Sequence, residues 1–468
     1  MNGKKLLAIS LAAMMSLTLL AGCGAPAPAA PATPAAPAAP AAPPPPSSVV
    51  TEVAKTAEPT KVVFWHSMGG RNEEALKKIV DGFNASQKEV IVEPQYQGTY
   101  DDAITKLRAT GEGSRPDIMQ LYDVGTRWMI DSGFALKVQD YIDKDKYDIS
   151  DYEPNILAYY SLPDGLYSMP FNCSSPVIIY NKTAAEKAGL DLNTAFSSFE
   201  KLEESAKIMK EKGGVAVGGS MTNYSWVFEQ LVGIQDKELL DNGNGRKARA
   251  TKTVIDENGA GLNILKGYKS ASKNPAMTVW GKGTAESKKQ FATGTVGFIF
   301  DSCSIYVDTA AAAEGKFEIA FAPLPKVNAG DTGGTSVGGG SLWMINNGDE
   351  NRAAAAWQFI KYATGAEVQA KWSMGTGYLP IRKGATELPE FVTYCKDVNQ
   401  GMMVAVNSLR NSKPACAGSL MGVFPKARTI IENEVEIMMN EPAATPESAL
   451  EKICKQLNSE IEMYNKTN

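Results

Sequence analysis

The sequence is almost without histidine: His66 is the single copy in 468 residues. One histidine would serve a Ser-His-Asp hydrolase, but no Gly-x-Ser-x-Gly segment supplies the exposed nucleophile such an enzyme needs. His66 closes the apolar run Phe64-Trp65-His66 and is read as a structural hydrogen-bonding residue. Metal-type cysteine spacing is missing as well. The six cysteines contain no CxxC pair, so neither a zinc site nor any other cofactor is expected. A basic excess is also lacking. Lys and Arg number 47 against 52 Asp and Glu, a formal charge of −5 that offers no stripe for nucleic acid. Beyond the first twenty or so residues no apolar run approaches the roughly 20 residues a membrane-spanning helix needs.

What is present begins at the N-terminus. Lys4 and Lys5 precede an apolar run, Leu6 to Leu20, which stops at Leu20-Ala21-Gly22-Cys23. The charge, the short apolar length and the small residues before the cysteine describe a secretory signal over residues 1–22. The four residues L-A-G-C resemble the bacterial lipobox, which implies cleavage before Cys23, acylation of its thiol, and a lipid anchor on the extracytoplasmic face of the cell membrane. From Gly24 to Pro46 the chain is almost only Ala and Pro and has no side chain from which to build a core. Such a tract favours polyproline II at about 3.1 Å per residue. Residues 23–58 are therefore expected to form a tether.

The remainder, about 410 residues, exceeds the size at which one core stops growing, so two or more core-bearing units are expected. Strand-like runs occur at 61–65, 91–94, 117–121, 177–180, 296–300 and 341–345. Helical periodicity lies between and after them: Leu76, Ile79, Val80 and Phe83 share one face, as do Phe199, Leu202, Ala206 and Met209, and segments 353–363, 425–439 and 446–464 repeat the pattern. Alternation of strand and helix predicts an α/β fold of two lobes with largely parallel sheets, whose ligand sits beyond the carboxyl ends of the strands. Besides Cys23 there are Cys173, Cys303, Cys395, Cys416 and Cys454. An odd number leaves at least one thiol unpaired, and most are read as free, buried, small apolar side chains.

Two glycine-rich segments invite a phosphate-binding reading. Trp280-Gly281-Lys282-Gly283-Thr284 fails it, because Ala276 stands where the first glycine belongs and Gly283 follows the lysine. It is read as a loop leading into a helix near Thr284. Gly333 to Gly340 is different. Consecutive glycines before a strand allow a ligand to approach the backbone, and their amides can meet an anion.

The segments FWHSMGG, YQGTYDD, QLYDVGT, PFNCSSPVIIYNK, SVGGGSLWMIN and TGYLPI are similar, in order and spacing, to the extracellular solute-binding proteins of ABC importers. Within that family the chain most resembles the branch that binds glycerol-3-phosphate. The resemblance runs from about residue 59 to the C-terminus and is weakest at 220–280 and 385–420. It implies a maltose-binding-protein-like type II fold of two α/β lobes, 59–172 plus 303–347 and 173–302 plus 348–468, closing over ligand by hinge bending. The ligand contacts it implies are Tyr100, Asp123, Ser174, Ser302, Gly339, Tyr378 and Arg428. Arg428 would offer a planar fork to a phosphate, Ser174, Ser302, Tyr378 and the Gly339 amide would donate to it, and Asp123 would accept from glycerol hydroxyls.

Three departures accompany the resemblance. Asp123 stands where the family's usual acid is the longer Glu. No arginine occupies Met403 to Val406, although Arg410 is near in sequence. Phe199 takes the place of a lid tryptophan.

The resemblance implies a monomer that is not an enzyme, whose partners are the ligand, the permease subunits of an importer and the membrane. The expected cargo is a small polyol phosphate, glycerol-3-phosphate or a glycerophosphodiester. A neutral oligosaccharide stacked on tryptophans such as Trp65, Trp128, Trp226, Trp280 and Trp343 is the alternative. A lipid-anchored glycosidase using Asp123 and Asp301 ranks third.

Overall fold

The computed structural model describes residues 50–56, 58–413 and 416–468. Cys23, the apolar run before it and the Ala/Pro tract up to Pro46 lie outside the described residues. Among the described residues no helix is long and apolar enough to cross a membrane.

Two sheets organise the chain. In the first, Thr60–His66 pairs in parallel with Val90–Tyr96 on one side and Ile118–Tyr122 on the other. Gly338–Ile345 then lies antiparallel to Ile118–Tyr122 and also pairs with Met169–Ser174 and Ala135–Leu136. Alternate side chains go to opposite faces, as the period of a strand requires. Phe64, Ile118, Leu342 and Met344 join a core with Leu76, Ile79, Phe83, Trp357 and Phe359, while Trp65, Met119, Leu121 and Trp343 join another with Ile104, Leu107, Trp128 and Met129. Burying each large apolar side chain contributes about 1.5–3 kcal/mol, so both faces need their helices.

The second sheet has Pro176–Asn181 at its centre, with Phe298–Ser302 and Ile319–Ala322 antiparallel on either side. Ile178, Tyr180, Phe298 and Phe300 pack with Phe228, Leu231, Ile264, Ile431 and Ile453. The expectation of largely parallel sheets therefore holds for the first three strands of the first sheet and for the short pair Gly219–Ser220 and Met277–Thr278, but not for the second sheet. An apolar run marks a buried strand but carries no direction. Direction here follows from the chain passing straight from Met169–Ser174 in one sheet to Pro176–Asn181 in the other.

The expected lobe boundaries also shift. Helix Glu350–Ala363 packs beside Thr60–His66, and helix Ala366–Thr376 packs beside helix Arg71–Ser86, so this part of 348–468 belongs with the first sheet. Ile319–Ala322, placed in the first lobe by the resemblance, pairs within the second sheet. Helices Phe424–Asn440 and Pro446–Thr467 pack on the second sheet's core. Periodicity identifies the apolar face of a helix without saying which sheet it covers. For Glu350–Ala363 a buried carboxylate makes the connection. Asp117, 2% exposed, accepts from Val63 N at 2.7 Å, from Arg352 Nη2 at 2.7 Å and from Asn347 Nδ2.

All five described cysteines are unpaired, four of them buried and Cys395 half-buried. Burial pushes the Cys303 and Cys454 thiols up to about 12, so they pack as neutral, apolar groups. The expected role of His66 needs adjustment. Its carbonyl accepts from Gln97 N at 2.9 Å, but its ring Nδ1 finds no partner among the described residues and burial lowers its pKa. Centroid distances of 5.8 Å to Phe64 and 5.9 Å to Tyr96 make the ring a packing group.

Two stability predictions follow from these buried carboxyls. Asp117→Ala leaves Arg352 and the Val63 amide without their acceptor and is expected to cost ~3 kcal/mol in urea unfolding. Asp301 is 3% exposed, its Oδ2 has no partner among the described residues, and burial raises its pKa to about 6. The folded state therefore holds this proton more tightly than the unfolded state, and stability falls as pH rises from about 4 through about 6. Asp301→Asn removes that penalty and is expected to raise unfolding stability by ~2 kcal/mol at about pH 7.5 and to change it little at about pH 4.

Candidate ligand-binding site

The strand ends of the two sheets converge. Asp123 follows Ile118–Tyr122, Ser174 ends Met169–Ser174, Ser302 ends Phe298–Ser302, and Gly339 lies at the start of the oppositely running Gly338–Ile345. Tyr100 begins a helix whose first turn is fixed by a capping box between Thr99 and Asp102. Tyr378 follows Gly377, which ends helix Ala366–Thr376 at φ +82. Arg428 projects from the first turns of Phe424–Asn440. These seven residues, all named from the sequence, line one cavity of ≈ 250 Å³.

The structure adds Tyr122, Tyr224, Trp226 and Ser304 to the lining, none of which sequence reasoning assigned to a phosphate ligand. Ser304 was within reach, two residues beyond Ser302 in the same segment. The sequence offers Trp226 only as a sugar platform, and it comes close because residue 338 is glycine: a Cβ there would stand 2.3 Å from the indole. Of the other tryptophans considered, Trp65, Trp128 and Trp343 pack on the far face of the first sheet and Trp280 against its core. Phe199 does not reach the cavity. It opens helix Phe199–Ile208 and packs near Gly267 on the second lobe's core. Arg410 is also elsewhere, donating from Nε to Glu153 Oε1 at 2.8 Å and lining a separate cavity of ≈ 500 Å³. Asp301 does not line the site that Asp123 lines, so the two do not form a carboxylate pair around it.

The cavity has a neutral end and a charged end. At the neutral end Tyr100 stacks on Tyr122 with ring centroids 4.9 Å apart. The Tyr100 hydroxyl accepts from Asn172 Nδ2 at 3.1 Å, and Asn172 Oδ1 accepts from Gln120 Nε2 at 2.8 Å. Burial pushes the phenols of Tyr100 and Tyr378 up, so both remain hydrogen-bond donors. Ser302 and Ser304 share a bond of 2.8 Å between their hydroxyls. Gly339 has φ +88, and a Cβ there would stand 2.0 Å from the Asn172 carbonyl, so only glycine allows this strand to begin so close to Met169–Ser174.

At the charged end Arg428 meets two acids. Its Nε and Nη2 donate to Glu229 Oε1 and Oε2 at 2.8 and 2.9 Å, and Nη2 also donates to Asp123 Oδ2 at 3.3 Å. Glu229 comes from helix Ser225–Ile234, within the stretch where the resemblance is weakest, and sequence reasoning missed it. Burial raises the carboxyls of Asp123 and Glu229 above their usual range, opposed by the Arg428 charge. Among the described residues no cluster of His, Cys, Asp and Glu is placed to hold a metal ion.

Comparison with known proteins places this geometry in context. Residues 78–397 match the model of a family described as bacterial extracellular solute-binding protein. The sn-glycerol-3-phosphate-binding periplasmic protein UgpB of Yersinia pestis is 28% identical over 418 residues, covering 87% of this chain and 93% of that one. Its namesake in Rhizobium meliloti is 27% identical over 412 residues, covering 86% and 94%. Among solved structures, UgpB from Mycobacterium tuberculosis in complex with glycerophosphocholine superposes with a TM-score of 0.71 at 22% identity, covering 87% of this chain and 99% of that one. The GacH receptor of Streptomyces glaucescens, solved unliganded and with acarbose, gives 0.71 at 19% identity over 86% and 99%. The chain shares the fold of these neighbours, and with the family model matched over most of its globular part, it belongs to the bacterial extracellular solute-binding proteins of ABC transporters.

Proposed function

We propose that this protein captures a small phosphorylated polyol, glycerol-3-phosphate or a glycerophosphodiester, and delivers it to the permease subunits of an ABC importer. The observation that carries the reading is the cavity itself: one guanidinium at one end, and serine and tyrosine hydroxyls with a glycine amide toward the other. A phosphate needs several donors of fixed direction, and a glycerol backbone needs an acceptor such as Asp123 and an aromatic edge such as Tyr100. The cavity volume suits a ligand of that size. The names of the relatives point to the same ligand class.

The protein acts as a monomeric carrier without catalysis. Cys23 carries the lipid that holds it at the outer face of the membrane, and the Ala/Pro tract is the tether. A neutral oligosaccharide is the second reading, favoured by Trp226 and the Tyr100–Tyr122 stack as ring-stacking surfaces.

Titration calorimetry with glycerol-3-phosphate, glycerophosphocholine and maltose separates the readings. Phosphate-ester binding without maltose binding is expected. Arg428→Ala is expected to weaken ester binding by about a hundredfold or more, the loss of two charge-assisted bonds, with unfolding of the unliganded variant recorded alongside. Tight maltose binding with no ester signal would overturn the proposal.

A further inference from the structure

The guanidinium that meets the phosphate in this reading is not free. Glu229 occupies one edge of the Arg428 fork with two parallel bonds, and Asp123 takes the remaining hydrogen of Nη2. Of the five N–H groups of an arginine, only the two on Nη1 make no hydrogen bond among the described residues. The ion cluster carries one positive and two negative charges, and so sums to −1 when both carboxylates are ionised.

The surroundings do not reverse that sign. Glu432, one turn further along the Arg428 helix, accepts from Ser225 N at 3.0 Å. The phenols of Tyr122, Tyr159 and Tyr224 are neutral, kept protonated chiefly by burial. Asp101 accepts from the Tyr122 hydroxyl at 2.6 Å. Of the nearby cations, Arg246 is taken up by backbone carbonyls from Ala158 to Ser161 and at Ala417 and Gly418, Lys282 lies 3.7 Å from Glu436, and Lys237 lines the small cavity on the Glu229 side.

We propose that Glu229 is a positioning residue that sets which phosphate ester the cleft accepts: by holding Arg428 it leaves a site matched to the single charge of a phosphodiester and unfavourable to the second charge of a phosphomonoester. This rests on the phosphate-ester reading above. A phosphomonoester carries about −1.5 to −2 at neutral pH, with a second pKa of about 6. A diester carries one negative charge throughout. Acidification removes the ligand's second charge and, because burial raises the Glu229 and Asp123 carboxyls, also neutralises part of the cluster. Both effects strengthen binding of the monoester as pH falls.

The test compares glycerol-3-phosphate with its glycerol diester, which shares the same glycerol and phosphate groups and adds no charge. At about pH 7.5 the full-length protein is expected to bind the diester about tenfold or more tightly than the monoester, with the ratio shrinking toward about pH 5.5. Glu229→Gln, which keeps the shape and one acceptor, is expected to narrow the ratio at about pH 7.5 by about tenfold and to flatten its pH dependence. Equal affinities for the two esters in the wild-type protein at about pH 7.5 overturn this inference and leave the phosphate-ester reading standing. A ratio unchanged by Glu229→Gln in a protein that still binds the diester overturns it in the same way. Binding of maltose and of neither ester overturns both. Because the wild-type comparison needs no substitution, equal affinities there overturn the inference even where the variant fails to fold.

Discussion

A guanidinium enclosed where two lobes meet is tolerable only if carboxylates reach it from the surrounding elements. Desolvating each ion costs several kcal/mol, and attraction offsets that cost only when the geometry is good. Arg428 is met in this way. Glu229 binds it within the second lobe, helix to helix, through two short parallel bonds. Asp123 reaches it from the end of a strand in the first sheet, at 3.3 Å the longest of the three contacts. The contact that crosses between sheets is thus the weakest, and the two within one lobe are the strongest. The arginine is therefore held chiefly by its own lobe, while Asp123 depends on the longer contact across the cleft for its counter-charge.

Close backbone approach is the second requirement, and two glycines meet it. Gly338 admits the Trp226 ring and Gly339 admits the Asn172 carbonyl, so the start of Gly338–Ile345 sits against both a second-lobe helix and the neighbouring strand. The two walls of the cavity therefore touch main chain, and Gly339 belongs to the lining through its backbone. The hydroxyls at the opposite wall are oriented rather than free: Asn172 and Gln120 fix the Tyr100 oxygen, and Ser304 fixes Ser302. Ligand groups that meet oriented donors lose less entropy than groups that must organise them on arrival.

How much of this could be read in advance depended on which physical rule each feature obeys. Strands such as 61–65 and 341–345, and helices such as the one carrying Leu76, Ile79, Val80 and Phe83, follow periodic burial and were visible directly. Strand direction in the second sheet was not, since alternation is the same in either direction. The placement of Glu350–Ala363 on the first sheet is tied down by Trp357 and Phe359 and by Asp117 meeting Arg352, a pairing across 235 residues that no local pattern encodes. Five of the seven candidate ligand residues lie in segments that carried the family resemblance, and the structure gathers all seven in one cavity. Glu229 and Tyr224 lay in the segment where that resemblance fades. Phe199 was assigned by position to a lid it does not form, because a helix start can be matched in sequence while its face points to another core.

The residues beneath the site explain why its polarity is confined to the strand ends. Cys173 and Cys303, each next to a cavity serine, are fully buried and neutral, and the Cys303 sulfur accepts only weakly from Ser175 N at 3.4 Å. Behind them, past the buried Asn172 and Asp301, the strands carry apolar side chains, Phe171 on one and Ile299 and Phe300 on the other. Water is excluded from that side, so each hydrogen bond and charge at the mouth acts in a medium of low polarisability, where an unmatched charge is most costly. In the phosphate-ester reading, the charge balance at this mouth is set by the carboxylates that stand against Arg428.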